Sequence, residues 1–147
     1  EYLNKMDPAN RDGFLAAYQS AALTQEQAAK ARSINKTVYA LAVSESWCGD
    51  CRINVPVLAR LAEANSHVVL RCHGKDASID LGIEKIPTFI FYDEAFVEIG
   101  RWVERPVSVG SGLATADHDA KRELRRRYNA GEFHAETFSE LANLAVR

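Results

Sequence analysis

The chain is poor in several features, and each shortage excludes a class of protein. No apolar run approaches the roughly 20 residues that a membrane-spanning helix needs. Three cysteines among 147 residues are too few, and odd in number, for a disulfide-stapled scaffold. Eight glycines and four prolines fit neither a collagen-like nor a low-complexity chain. Neither sign of charge dominates: 18 Lys and Arg against 20 Asp and Glu leave a net charge of −2. That balance excludes a bulk-basic nucleic-acid binder and an acidic tail. What is present is ordinary. Apolar residues make up 47%, enough for one core, and the length fits a single domain over residues 1–147. Glu1 to Asn10 has no basic stretch leading into an apolar one, so no signal peptide is expected there, although a segment removed upstream stays open. An odd third cysteine fits a reducing compartment, and the cytoplasm is the expected location.

Periodicity sets the element order. Asp7 or Asp12 can cap a first helix with Phe14, Leu15 and Tyr18 on one face, covering a sheet edge. Thr24 and Gln27 have the spacing of a capping box for a second helix to about Ser33. Lys36 to Val43 reads as a strand, and a helix from Cys48 carries Ile53, Val57, Leu58, Leu61 and Ala62, with Pro56 inside it as a kink. His67 to Cys72 is a second, almost continuously apolar strand, of the kind covered on both faces. A short helix is expected over Asp76 to Leu81. Thr88 to Tyr92 and Phe96 to Arg101 form a hairpin through Asp93-Glu94-Ala95. Pro106 to Gly112, with two glycines and two serines, reads as a loop. Helices follow over about Thr115 to Tyr128 and Ala135 to Val146, the last with Phe138, Leu141, Ala142 and Ala145 inward. The fold class is α/β: a mixed sheet flanked by helices, with a helical extension over 1–35, a core over 36–105 and C-terminal helices over 113–147.

The chemistry concentrates in Trp47-Cys48-Gly49-Asp50-Cys51, between a strand and a helix. Cys48 falls at the helix N-terminus, where free N–H groups and the helix dipole favour a thiolate. Two intervening residues put both sulfurs on one turn, close enough to bridge. Cys48 is then the exposed nucleophile and Cys51 the resolving thiol. Zinc sites use the same spacing, and Cys48, Cys51, Cys72 and His73 are the ligand types such a site needs, but no second paired motif exists, so no metal is expected. Cys72 reads as a core thiol, or else as a second redox site. His67, His118 and His134 have no ligand spacing and read as surface residues. Lys121, Arg122, Arg125, Arg126 and Arg127 read as a solvated helix face, with docking of an acidic partner as the alternative.

Trp-Cys-x-x-Cys at 47–51, Pro56 in the next helix, Ile86-Pro87-Thr88 before a strand and Gly100 after a hairpin together resemble the thioredoxin superfamily over about Lys36 to Arg101. The resemblance implies a thioredoxin-like fold, a cis Pro87 facing the sulfurs, and thiol–disulfide exchange. It places a substrate groove along Trp47, Gly49, Asp50, Ile86 and Pro87. It implies a redox-active Cys48–Cys51 disulfide with no other cofactor, a disulfide-containing protein or small-molecule substrate and an upstream thiol reductant. Neither nucleic acid nor a membrane is expected as a partner. The departures are specific. Thioredoxin proper has Gly-Pro between its cysteines, where this chain has Gly49-Asp50, and a buried Asp where this chain has Ala42. Its buried Lys has only Arg71 near the expected place. Two helices stand where its first strand lies, so the chain is more similar to smaller bacterial thioredoxin-like families with Cys-Gly-Asp-Cys. Asp50 beside Cys48 disfavours a thiolate, with Arg52 opposing, which points to a reductant rather than an oxidant. Glu45 is the nearest carboxylate before the motif. The alternative is a partner-binding module of the same fold in which the cysteines are not essential.

Overall fold

The first helix begins where the sequence puts a cap and a proline side by side. The structure, a computed structural model, describes residues 2–76 and 80–147. Asp7 caps α1 (Pro8–Ser20) by accepting the Asn10 N–H at 3.1 Å, and Pro8 takes the position where no N–H is required. Phe14 alone of the expected stripe enters the core; Leu15 is exposed, and Tyr18 lies half-buried beneath the Arg60 guanidinium. The helix packs on α3 rather than on a sheet edge, with the Arg52 side chain of α3 lying close over Gly13. The capping box of α2 (Gln25–Arg32) is present with both reciprocal bonds between Thr24 and Gln27.

Four strands form one mixed sheet: β1 (Val38–Val43), β2 (Val68–His73), β3 (Thr88–Tyr92) and β4 (Glu98–Val103), in the order β2-β1-β3-β4. β1 and β2 are parallel, with Val38 opposite Val68, and α3 (Gly49–Ala64) is the crossover between them. β1–β3 and β3–β4 are antiparallel. β2 is an edge strand, and only Val68 in it is buried, which corrects the expectation of a strand covered on both faces. The buried strand is the central β3, where Phe89, Ile90 and Phe91 are wholly enclosed. The return strand starts two residues later than expected, at Glu98 rather than Phe96. Asp93 Oδ1 accepts the N–H groups of both Ala95 and Val97 at 2.9 Å, and Phe96 sits at a φ of 59°.

The expected loop over Pro106 to Gly112 is instead mostly helix: α4 spans Val107–Thr115. Its first N–H groups find partners in another helix, a signal that local sequence cannot carry. Val107 N–H donates to Glu140 and Ser108 N–H to Glu136, both at 2.9 Å, from α6 (His134–Ala145). A Cβ at Gly112 would lie 2.6 Å from Leu124 Cδ2, so a larger residue there would make the end of the Leu124 side chain shift. The single helix expected over 115–128 is broken after Thr115, and Asp117 caps α5 (His118–Asn129) afresh. The short helix expected over Asp76 to Leu81 rests on residues 77–79, which lie outside the described residues.

α3 and α6 pack together, α3 against β2 and α6 against β4, with α1 and α2 on the flank of α3. Ala40, Ala42, Phe89, Phe91 and Trp102 of the sheet meet Leu58, Leu61, Phe138 and Leu141 of the helices in one core. His134 is half-buried, not a surface residue. Its Nε2 is enclosed without a partner, and burial holds its pKa below the usual histidine value. No helix among the described residues is long and apolar enough to cross a membrane.

Glu140 joins β4, α4 and α6, because its second oxygen accepts the Trp102 indole N–H at 2.6 Å. Glu140→Ala leaves that donor and the Val107 N–H without their acceptor. A loss of about 1–3 kcal/mol in urea-unfolding stability is expected, larger than for Glu136→Ala, whose bonds to Ser108 are solvent-exposed. A depressed histidine pKa stabilises the fold above the unfolded value and loses that contribution as pH falls. Stability is therefore expected to decline below a pH of about 6.5, and His134→Gln to flatten the decline.

Candidate active site

Helix α3 starts with its N-terminal N–H groups uncovered by backbone, and a sulfur fills the gap. Cys48 is the N-cap: its Sγ accepts the Cys51 N–H at 3.3 Å. It is 9% exposed, whereas Cys51 has no exposed surface. The Cys48 thiol faces the Ile86 carbonyl at 3.6 Å. The Ile86–Pro87 peptide bond is cis, Pro87 is buried and Ile86 half-buried. On the other side Trp47 stands 72% exposed, and Gly49 faces open space. Of the five residues expected to line a groove, Ile86 reaches the Cys48 sulfur through its carbonyl, while the Asp50 carboxylate is turned to Arg105.

Cys51 lies beneath this rim. Burial, with the hydrogen bond to Cys48 second, pushes its thiol up to about 12. Two groups act in the opposite direction at the same sulfur, the Ser44 hydroxyl and the Glu45 backbone. Ser44 is itself buried, and its Oγ lies 2.6 Å from the Tyr2 hydroxyl. The Glu45 carboxylate is committed elsewhere: its Oε1 accepts the Lys75 N–H at 2.6 Å.

Asp50 is not a bare charge beside Cys48. Arg105 grips its carboxylate through Nε at 3.2 Å and Nη2 at 2.9 Å, and the Tyr128 hydroxyl bonds it as well. Burial first, then the Asp50 charge, drive the Tyr128 pKa far upward. Asn54, one turn on from Asp50 and wholly buried, fastens this cluster. Its Nδ2 faces the Asp50 carbonyl at 3.0 Å, the Glu104 carbonyl at 3.3 Å and Tyr128 Oη at 2.6 Å. Its Oδ1 accepts from Thr137 at 3.1 Å. Glu104 bridges Arg105 at 3.2 Å and Lys85 at 3.1 Å along the flank.

Sequence reasoning missed Ser44, Tyr2, Asn54, Arg105 and Tyr128. Only Asn54 carried a signal, as a polar residue inside the apolar face of α3. Cys72 is half-buried on the edge strand, and burial pushes its thiol up to about 11. Among the described residues no three His, Cys, Asp or Glu side chains converge as metal ligands. The cation cluster of α5 is largely occupied within its own neighbourhood, by Arg126–Glu123, Arg127–Glu132 and Arg122–Asp119 pairs.

Thiolate is the reactive form of cysteine, and burial raises the thiols of Cys51 and Cys72 against it. Brief treatment of the native, reduced protein with iodoacetamide at neutral pH is expected to label Cys48 alone. Peptide mapping should find Cys51 and Cys72 labelled only after unfolding.

A model of the family described as thioredoxin matches residues 1–121. Thioredoxin H1 of Arabidopsis thaliana is 31% identical over 90 residues, 58% of this chain and 78% of that protein. Thioredoxin H-type 1 of Nicotiana tabacum is 35% identical over 66 residues, 42% of this chain and 48% of the tobacco protein, so this match spans about half of that relative. A crystal structure of a protein of unknown function from Pseudomonas aeruginosa superposes with a TM-score of 0.78 at 22% identity, covering 97% of this chain and 87% of that one. An HIV epitope-scaffold superposes equally well, with a TM-score of 0.78 at 21% identity over 97% of this chain and 88% of that chain. Those two likenesses show the thioredoxin-like fold, and the family match, which takes in the Cys48–Cys51 pair and cis Pro87, shows more: the chain belongs to the thioredoxin family.

Proposed function

We propose that the protein is a thiol–disulfide oxidoreductase working as a disulfide reductant. The observation that carries the reading is the unequal pair of sulfurs at the start of α3, one at the rim and one enclosed beneath it. Cys48 attacks a substrate disulfide, breaks its S–S bond and forms a mixed disulfide. Cys51 then attacks Cys48 Sγ, releases the second substrate thiol and leaves a Cys48–Cys51 disulfide. Two electrons pass to the substrate, and the dithiol needs no further cofactor. An upstream thiol reductant must restore it.

Trp47, Gly49, Ile86 and Pro87 are the surface on which a disulfide-containing protein segment, or a small disulfide, is held, a reading supported by the Ile86 carbonyl 3.6 Å from the Cys48 sulfur. Cys51, which burial keeps protonated, adds no thiolate stabilisation to the reduced form, and the direction of electron flow is read from the potential of the couple. Asp50 contributes less to this than its place in the sequence implies, because Arg105 balances its charge. A reducing compartment, the cytoplasm, suits such a role.

Equilibration against dithiol buffers tests the reading. A two-electron couple at about −270 mV is expected, and a value of about −180 to −120 mV would make the protein an isomerase or an oxidant instead. Cys51→Ser should trap a mixed disulfide on Cys48, and Cys48→Ser should abolish turnover. If no two-electron couple is found, the cysteines are not the working part and the partner-binding alternative stands.

A further inference from the structure

Resolution requires Cys51 to lose a proton, and Cys51 has no contact with solvent through which to lose it. Among the described residues, no carboxylate is hydrogen-bonded to the Cys51 sulfur. The strand leading to the motif offers Ala42, and Glu45 is bound to the Lys75 N–H. Hydroxyls are what the site provides. Ser44 is 1% exposed, and its backbone is fixed by an N–H bond to the His73 carbonyl at 2.9 Å. Its hydroxyl eases ionisation of the Cys51 thiol on one side, and Tyr2 Oη lies 2.6 Å from its Oγ on the other, where either oxygen can donate. Tyr2 in turn lines an open cleft of about 970 Å³.

We propose that the Ser44 and Tyr2 hydroxyls form the proton route between Cys51 and solvent, with Ser44 at the reacting sulfur and Tyr2 positioning it and opening the route to the cleft. The proposal deepens the reductase reading and rests on it. As Cys51 Sγ attacks the mixed disulfide, its proton passes to Ser44 Oγ, the Ser44 proton passes to Tyr2 Oη, and the Tyr2 proton passes to water in the cleft. The freed electron pair forms the Cys51–Cys48 bond. The bond from Cys48 to the substrate breaks, and the departing thiolate takes a proton from bulk solvent. Each hydroxyl ends with one proton, as it began.

The surroundings of Tyr2 suit a relay rather than a resident base. Burial pushes its hydroxyl up to about 12, so it stays protonated at neutral pH. Cys72, Cys51 and Glu45 all act in that same direction. The cleft brings further titrating and charged groups close by: Lys5 before α1, Glu63 of α3, and Arg71 and His73 of β2.

The test is stopped-flow reaction of the reduced full-length chain with one equivalent of dithiobis-nitrobenzoate. The first release of coloured thiolate reports attack by Cys48, and the second reports resolution by Cys51. Loss of one hydrogen bond at the sulfur corresponds to about tenfold in rate. In Ser44→Ala and in Tyr2→Phe, the ratio of second to first rate is expected to fall about tenfold, and the pH profile of the second step to move upward. Ser44→Thr should restore both. Tyr2→Phe removes a single oxygen and decides the matter if Ser44→Ala does not fold. A second release with wild-type rate and pH profile in Tyr2→Phe overturns the relay alone. A wild-type protein that stops after the first release overturns the resolving role of Cys51, and the relay with it.

Discussion

Helix α3 is buried over most of its middle, so the fold has to cover it from more than one side. Cys51, Ile53, Val55, Val57, Leu58 and Leu61 are buried together with the polar Asn54. One such aliphatic side chain gains about 1.5–3 kcal/mol from leaving water, and no single neighbour can enclose a whole cylinder. The sheet and α6 cover part of it, and α1 and α2 cover the flank that would otherwise face solvent. The two helices at the start of the chain, α1 and α2, therefore cover the helix that carries the cysteines. With its body immobilised, the first turn of α3 has one direction, and Cys48 sits where the uncovered N–H groups point.

A polar strut completes what packing begins. A buried amide is costly unless its donors and acceptors are met, and Asn54 meets them with groups from three separate segments: Glu104 after β4, Tyr128 of α5 and Thr137 of α6. Tyr128 and Arg105 then hold the Asp50 carboxylate. The flank of the groove is thus tied to the C-terminal helices, which makes them part of the site's support rather than an appendage. This tie also explains why Asp50 does not act as an isolated charge on Cys48. A carboxylate held in two guanidinium bonds projects much less field than a free one.

What the sequence revealed was local, and what it concealed was not. Asp7, the Thr24–Gln27 box, the Cys48 N-cap and the inward face of α6 all follow from residues a few positions apart, and each lies where spacing puts it. Helix α4 was unreadable because its N-terminus is satisfied by Glu136 and Glu140, some thirty residues away. β2 reads as a buried strand by composition, but being an edge is a property of sheet order, which composition does not encode. In the site, Cys48, Cys51 and Pro87 carry recognisable spacing. Arg105, Tyr128, Ser44 and Tyr2 act through contacts across the fold, and nothing in their immediate neighbours marks them.

The two thiols need opposite environments, and the fold supplies both within one helical turn. The attacking sulfur needs a surface and donors, which a helix N-terminus gives. The resolving sulfur must stay out of reach of other disulfides, and enclosure gives that, but enclosure also raises the energy of the thiolate it has to become. A carboxylate alongside would ease proton loss while adding a second buried charge. Hydroxyls avoid that second charge, since Ser44 and Tyr2 can each exchange a proton without holding a net charge before or after the step. Tyr2 belongs to the same N-terminal extension that covers α3. In the proposed relay, one segment of chain both covers the helix that carries the buried thiol and opens a polar path to it.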